Sequence, residues 1–244
     1  MSAIVSTFSH LITRTTGQWT QSETSLRSSG LPLIDDVTSG GFPEGAMTEL
    51  FATHAGLGEV RLLLPVLSGF RHVTWVLRST SVFEPYAPAL ADAGLDLNRQ
   101  LFTVPATPDE AFWCAEQAAA SGETEAVVAW LNPAPHGRDA AGLARLAMAA
   151  RANGVTIFAI RPAGMICTPS PAQLRLQLTP GPEGMTHVRA IRRNTFLDSA
   201  HEIDVRLSDL TPARRRGRHE PTVQLSLDLF PVGDDMSLRP LSRA

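Results

Sequence analysis

Two short stretches of this chain have residue types and spacing that could carry chemistry. The first is Thr53-His54-Ala55-Gly56-Leu57-Gly58-Glu59-Val60. It falls between a strand-like and a helix-like run, where a glycine-rich loop turns backbone N–H groups toward a phosphate. A working loop of that kind follows G-x-x-x-x-G-K-[ST], with Lys on the β- and γ-phosphates and a hydroxyl on Mg²⁺. Here Gly58 is retained, but Thr53 stands at the first Gly, Glu59 at the Lys and Val60 at the Ser/Thr. A carboxylate beside a polyphosphate is repulsive, so the exchange inverts the site. The second stretch is Gln224-Leu225-Ser226-Leu227-Asp228-Leu229-Phe230. Its alternation suits a short linear peptide bound in a groove: Gln224 is a polar anchor, and Leu227 with Leu229 or Phe230 fills a hydrophobic pocket.

The composition bounds what such sites can belong to. At 244 residues the chain supports one sizeable domain with appendages, and 43% hydrophobic content is enough for a buried core. All 21 basic residues are Arg, and the net charge of −3 gives no global pull toward nucleic acid. Cys114 and Cys167, far apart in apolar contexts, are expected to be core thiols of a reducing compartment rather than a disulfide. Met1 to Thr20 shows neither a basic leader nor an unbroken apolar run, so the cytoplasm is the expected location and no membrane segment is expected. The seven His residues show no ligand spacing with Cys, Asp or Glu, so no metal site is expected.

The chain divides into three. Residues 1–29 are polar and Ser/Thr-rich, expected to form a loose arm with at most a short helix. Residues 30–210 alternate strand-like and helix-like runs, starting with the turn Gly40 to Gly45 and a strand over Ala46 to Ala52. A helix is expected from Leu57 to about Phe70, then a strand at Val73 to Leu77, a helix over Pro85 to Ala93 and a strand at Leu101 to Val104. Pro108-Asp109-Glu110 starts the next helix with a proline and acids in its first turn, as the macrodipole favours. Val127 to Leu131 and Val155 to Ile160 are nearly unbroken apolar runs, expected to be strands buried on both faces, with an Ala-rich helix over Ala140 to Ala152 between them. This β–α alternation predicts an α/β fold with a mostly parallel, helix-covered sheet. Leu174 to Leu178, Met185 to Ile191 and Ile203 to Leu207 alternate polar and apolar residues, and are expected to finish one edge as antiparallel strands. Residues 211–244, rich in Pro, Gly and Arg, are expected to be a disordered tail.

At this point the chain resembles a known family. Leu31 to Leu67 is similar to the opening of the RecA-like recombinases: a Gly-Gly turn, a Pro-x-Gly, a strand ending Thr48-Glu49-Leu50, the loop, then a helix. Within that group, Gly41 to Leu50 and Gly56 to Pro65 resemble the ImuA proteins, RecA-like relatives that accompany bacterial error-prone polymerases. The cell-division inhibitor SulA is similar over the same core, including Ile160-Arg161-Pro162. RecA-like ATPases also end a central strand with an Asp that supports Mg²⁺, and place a Glu after the second strand to orient water. The corresponding runs here end Trp130-Leu131-Asn132 and Arg78-Ser79-Thr80-Ser81, with no acid, and Glu84 beside Pro85 is poorly placed to substitute. With Arg61 the nearest stand-in cation, nothing is left to hold Mg-ATP, so no nucleotide cofactor and no enzymatic activity are expected.

The tail stretch resembles the hexapeptide by which bacterial proteins dock on the β sliding clamp, which implies partner contacts through Gln224, Leu225, Leu227, Leu229 and Phe230. The competing reading is a last core strand, disfavoured by Pro221, Pro231 and the surrounding Arg-rich tail. Gln173 to Leu178 fits the same pattern but falls where the core needs a strand, so it is expected to be structural. Arg214, Arg215, Arg216 and Arg218 follow the Arg192-Arg193 pair; contact with nucleic-acid phosphates and a solvated linker remain alternatives. Trp75, Trp113 and Trp130 are expected in the core. The ImuA resemblance implies a non-enzymatic accessory of SOS-induced translesion synthesis. Its partners would be ImuB and an error-prone replicative-type polymerase, with RecA and the β sliding clamp as further candidates. The alternative is a SulA-type inhibitor that binds FtsZ and needs no clamp-like tail.

Overall fold

A computed structural model describes residues 25–78, 85–134, 137–192 and 202–206. Its centre is an eight-stranded sheet built from β3 (Met47–Ala52), β4 (Val73–Val76), β5 (Gln100–Thr103), β6 (Ala126–Trp130), β7 (Thr156–Pro162), β8 (Leu174–Pro180), β9 (Thr186–Arg192) and β10 (Glu202–Val205). The order across the sheet is β10-β9-β8-β3-β7-β6-β4-β5. All pairings from β5 through to β8 are parallel, and only β8-β9 and β9-β10 are antiparallel. The mostly parallel, helix-covered sheet expected from the sequence is therefore present. One detail differs: β8, expected among the antiparallel strands, runs parallel to β3 with Thr48 opposite Leu174. The long connection from β7 lets it enter in the same direction, so the antiparallel run begins only at the β8-β9 hairpin.

The helices are α1 (Pro32–Thr38), α2 (Glu59–Leu67), α3 (Ala87–Asp92), α4 (Pro108–Ala120) and α5 (Asp139–Asn153). One core joins α1, α2 and α3 to one face of the sheet through Ile34, Leu62, Leu63, Leu67, Leu90, Trp75 and Phe158. The other face carries a second core formed by Ala111, Phe112, Leu143 and Leu146 of α4 and α5 over Val127, Ala129, Ile157 and Ala159. Strands β6 and β7 are covered on both sides, as their unbroken apolar runs require, while β8 alternates buried Leu174, Leu176 and Leu178 with half-buried Arg175, Gln177 and Thr179. The repeat of the tail pattern at Gln173 to Leu178 thus falls on an inner strand over Leu174 to Leu178.

Local chemistry sets the helix ends. Thr107 caps α4 by accepting from the Glu110 amide at 3.2 Å, and the Glu110 carboxylate accepts from the Ala106 amide at 2.8 Å. A two-stranded ribbon missed in the sequence joins β1 (Leu26–Arg27) to β2 (Phe42–Pro43), so the chain belongs to the folded body from Ser25 onward. Gly41 makes the ribbon feasible: its φ is 118°, and a Cβ there would collide with the Arg27 carbonyl. Trp75 and Trp130 are buried as expected, but Trp113 is 60% exposed because α4 turns it away from both the sheet and the core. Both thiols are free; Cys114 is half-buried and Cys167, expected in the core, is exposed on the turn that follows β7.

Candidate functional site

The inverted loop lies at the carboxyl end of β3, the edge of an open α/β sheet where ligands bind. Thr53 to Gly56 are exposed, Gly58 adopts φ 91° as the residue before α2, and Glu59 is the first residue of that helix. Glu59 is at the helix start, as its charge suits, yet it is only 2% exposed. Its Oε1 accepts a hydrogen bond from the Gly56 amide at 3.2 Å, and its Oε2 is buried without a partner. The carboxylate therefore turns back into the loop and takes a backbone N–H that a phosphate oxygen would otherwise accept from. The loop holds its own anion. Thr186 of β9, two strands along from β3, donates to the Leu57 carbonyl at 2.9 Å and pins the loop. Val60, which replaces the metal-binding hydroxyl, is buried in the first core, and Arg61 points outward, exposed to solvent.

Neither Asn132 nor Arg78, at the other positions that the RecA resemblance would make catalytic, is an acid. Asn132 lies just past β6, and Arg78 just past β4 is half-buried with an unpartnered buried Nε. Arg78, Asn132, Trp130, Thr107 and Pro108 line a cleft of about 30 Å³ at this end of the sheet. That is room for about one water, far below the roughly 300 Å³ at which small-molecule pockets begin. Ser79, Thr80, Ser81 and Glu84 lie outside the described residues.

The strongest polar feature of the fold was not read from the sequence. Arg161 of β7 and Glu49 of β3 have fully buried side chains, joined at 2.8 Å between Nη1 and Oε1. Arg161 Nη2 reaches Asp139 at the start of α5 at 3.1 Å, and Arg175 Nε of β8 reaches the second Glu49 oxygen at 2.9 Å. Asp139 also accepts from the Ala134 amide, Arg175 donates to the Thr168 carbonyl at 3.2 Å, and the Arg175 guanidinium lies over the Phe51 ring at 4.8 Å. Parallel register brings these charges together: Glu49 is directly opposite both Ala159 and Arg175, and Arg161 follows two residues after Ala159 on the same face. One signal could have flagged it: Glu49 and Arg161 are lone charges of opposite sign within apolar central strands, where burial demands a partner.

The linear motif Gln224, Leu225, Leu227, Leu229 and Phe230 and the cluster Arg214, Arg215, Arg216 and Arg218 lie outside the described residues. Among the described residues, no three His, Cys, Asp or Glu side chains are grouped so as to hold a metal ion, and no helix is long and apolar enough to cross a membrane. The sequence matches no protein-family model and no curated protein.

Proposed function

We propose that this chain is a non-enzymatic accessory protein of SOS-induced translesion DNA synthesis. It acts in the cytoplasm through contacts with ImuB and an error-prone replicative-type polymerase, with RecA and the sliding clamp as further partners. The observation that supports this reading best is Glu59: a buried carboxylate on the Gly56 amide occupies the loop where a nucleotide phosphate would sit. A fold whose phosphate loop is closed by its own side chain is useful for its surfaces and not for turnover. The resemblance of Gly41 to Leu50 and Gly56 to Pro65 to ImuA supplies the biological setting. The tail from Gln224 to Phe230 supplies the clamp-docking element.

The test is retention of purified ImuB, sliding clamp and FtsZ by the full chain and by a chain ending at Arg218, with calorimetry against Mg-ATP. The expected result is ImuB bound by both chains, clamp bound by the full chain alone, and no heat of nucleotide binding. Clamp binding that persists unchanged after truncation would sink the tail assignment. Retention of FtsZ without ImuB would replace the reading by a SulA-type inhibitor, and stoichiometric Mg-ATP binding would overturn it altogether.

A further inference from the structure

We propose that Leu207 and Leu210, the first two leucines after β10, form a strap that fills an apolar cavity between β10 and the start of α1. The cavity measures about 380 Å³, walled by Leu31, Pro32 and Leu33 on one side and by Met185 and Val205 on the other. That is far more space than a packed interior leaves empty. Its walls are continuous with the first core: Val205 is buried there, and Leu31 and Ile203 pack against it half-buried. Leu33 is nonetheless 51% exposed, so among the described residues the core is left uncovered at this corner.

The strand itself points to the occupant. Along β10, Glu202, Asp204 and Arg206 face outward, where Asp204 meets His187 at 2.9 Å and Arg206 meets Glu183 at 3.4 Å. Ile203 and Val205, the alternate residues, face the core. Leu207 is the next inward position in that alternation. The antiparallel register sets Val205 opposite Thr186, so the following step brings the chain alongside Met185, which walls the cavity.

Continuity then favours this segment over any other. The described chain ends at Arg206, itself on the rim of the cavity, and Leu207 is the very next residue. A segment tethered at the rim has an effective concentration on the order of millimolar or more, which a separate partner or a second copy does not match. Ser208 and Asp209, between the two leucines, are turn-forming residues. A turn there returns Leu210 to the side that Leu207 occupies and keeps the polar pair in water. The strap thereby closes the first core where α1 and β10 leave it open, and denies the cavity to apolar ligands from outside.

The experiment uses the full chain with labelled Met and Leu methyl groups. Assigned NOE spectra should show cross-peaks from the Met185 methyl to the methyls of Leu207 or Leu210, independent of protein concentration. The apolar dye ANS should fluoresce several-fold more with Leu207→Ser/Leu210→Ser than with the unsubstituted chain. The melting temperature of that variant should fall by about 4–8 °C. If the variant fails to fold, the cross-peaks in the unsubstituted chain still decide. Their absence would overturn the proposal, as would equal dye fluorescence from the two folded proteins. Cross-peaks that appear only at high concentration would also overturn it, because the occupant would then be a second copy.

Discussion

Replacing Glu59 by Lys restores the residue that a phosphate loop demands, and the structure says what happens instead. The substitution removes the acceptor of the Gly56 N–H, 3.2 Å from Oε1. A hydrogen bond to a charged group contributes about 1.5–3 kcal/mol. It also exchanges a favourable charge at the α2 N-terminus for an unfavourable one, about 0.5–1 kcal/mol in each direction. Against this, the unpartnered Oε2 already costs the native protein about 1–3 kcal/mol, and that cost disappears. The lysine stem can reach solvent past exposed Thr53 and His54, which limits the burial of its ammonium. The net expectation is a loss of about 1–3 kcal/mol, a fall of roughly 3–10 °C in melting temperature for a domain of this size. Calorimetric scans of Glu59→Lys beside Glu59→Gln read the loss, and titration with Mg-ATP reads the site. No nucleotide binding is expected, because Val60 and Asn132 supply neither the hydroxyl nor the acid that would hold the metal. A Glu59→Lys protein of undiminished stability that binds Mg-ATP would refute the self-occupied loop.

Two further outcomes follow from other parts of the fold. Arg161→Met leaves Glu49 and Asp139 short of a partner inside the protein, and should lower stability by about 3–5 kcal/mol in urea denaturation, with part regained when Glu49→Gln and Asp139→Asn are added; an unchanged midpoint would show the charges to be solvated. The Ser25 hydroxyl bonded to Glu44, with the Arg27 charge and against some desolvation, holds the Glu44 carboxyl below the usual range. A depressed folded value means stability that is present above the ordinary carboxylate value and lost as pH falls through the folded one, so Glu44→Gln should flatten the acid limb of the stability profile. Equal acid limbs in the two proteins would remove Glu44 from the account.

The fold was legible wherever hydrophobic period and burial act together. β6 and β7 stand out because parallel strands covered on both faces must be apolar throughout, and α4 because a proline and acids coincide in its first turn. The β1-β2 ribbon escaped because two-residue strands carry no period at all. Trp113 escaped because residue type gives no azimuth around a helix, and its exposure depends on where α5 packs. At the site, the wrong residue types at Glu59, Val60 and Asn132 were visible, since chemistry is read from identity. What Glu59 does was not, because its bond to Gly56 depends on the backbone turning left-handed at Gly58. The Glu49–Arg161 pair depends on strand order, which the sequence pattern leaves open.

That pair also bears on how the chain is made. Glu49 leaves the ribosome long before its partners: Arg161 lies 112 positions later and Arg175 126 positions later. Until both have emerged, β3 carries an acid in the middle of a strand that must be buried, and it lacks β7 and β8 on its two sides. Burying that carboxylate alone is costly, so the P-loop-like half of the molecule has no stable resting place beforehand. Docking of β3 is thereby deferred until β7 and β8 are available on its two sides, so the ion pair ties closure of the sheet to the arrival of strands far along the chain.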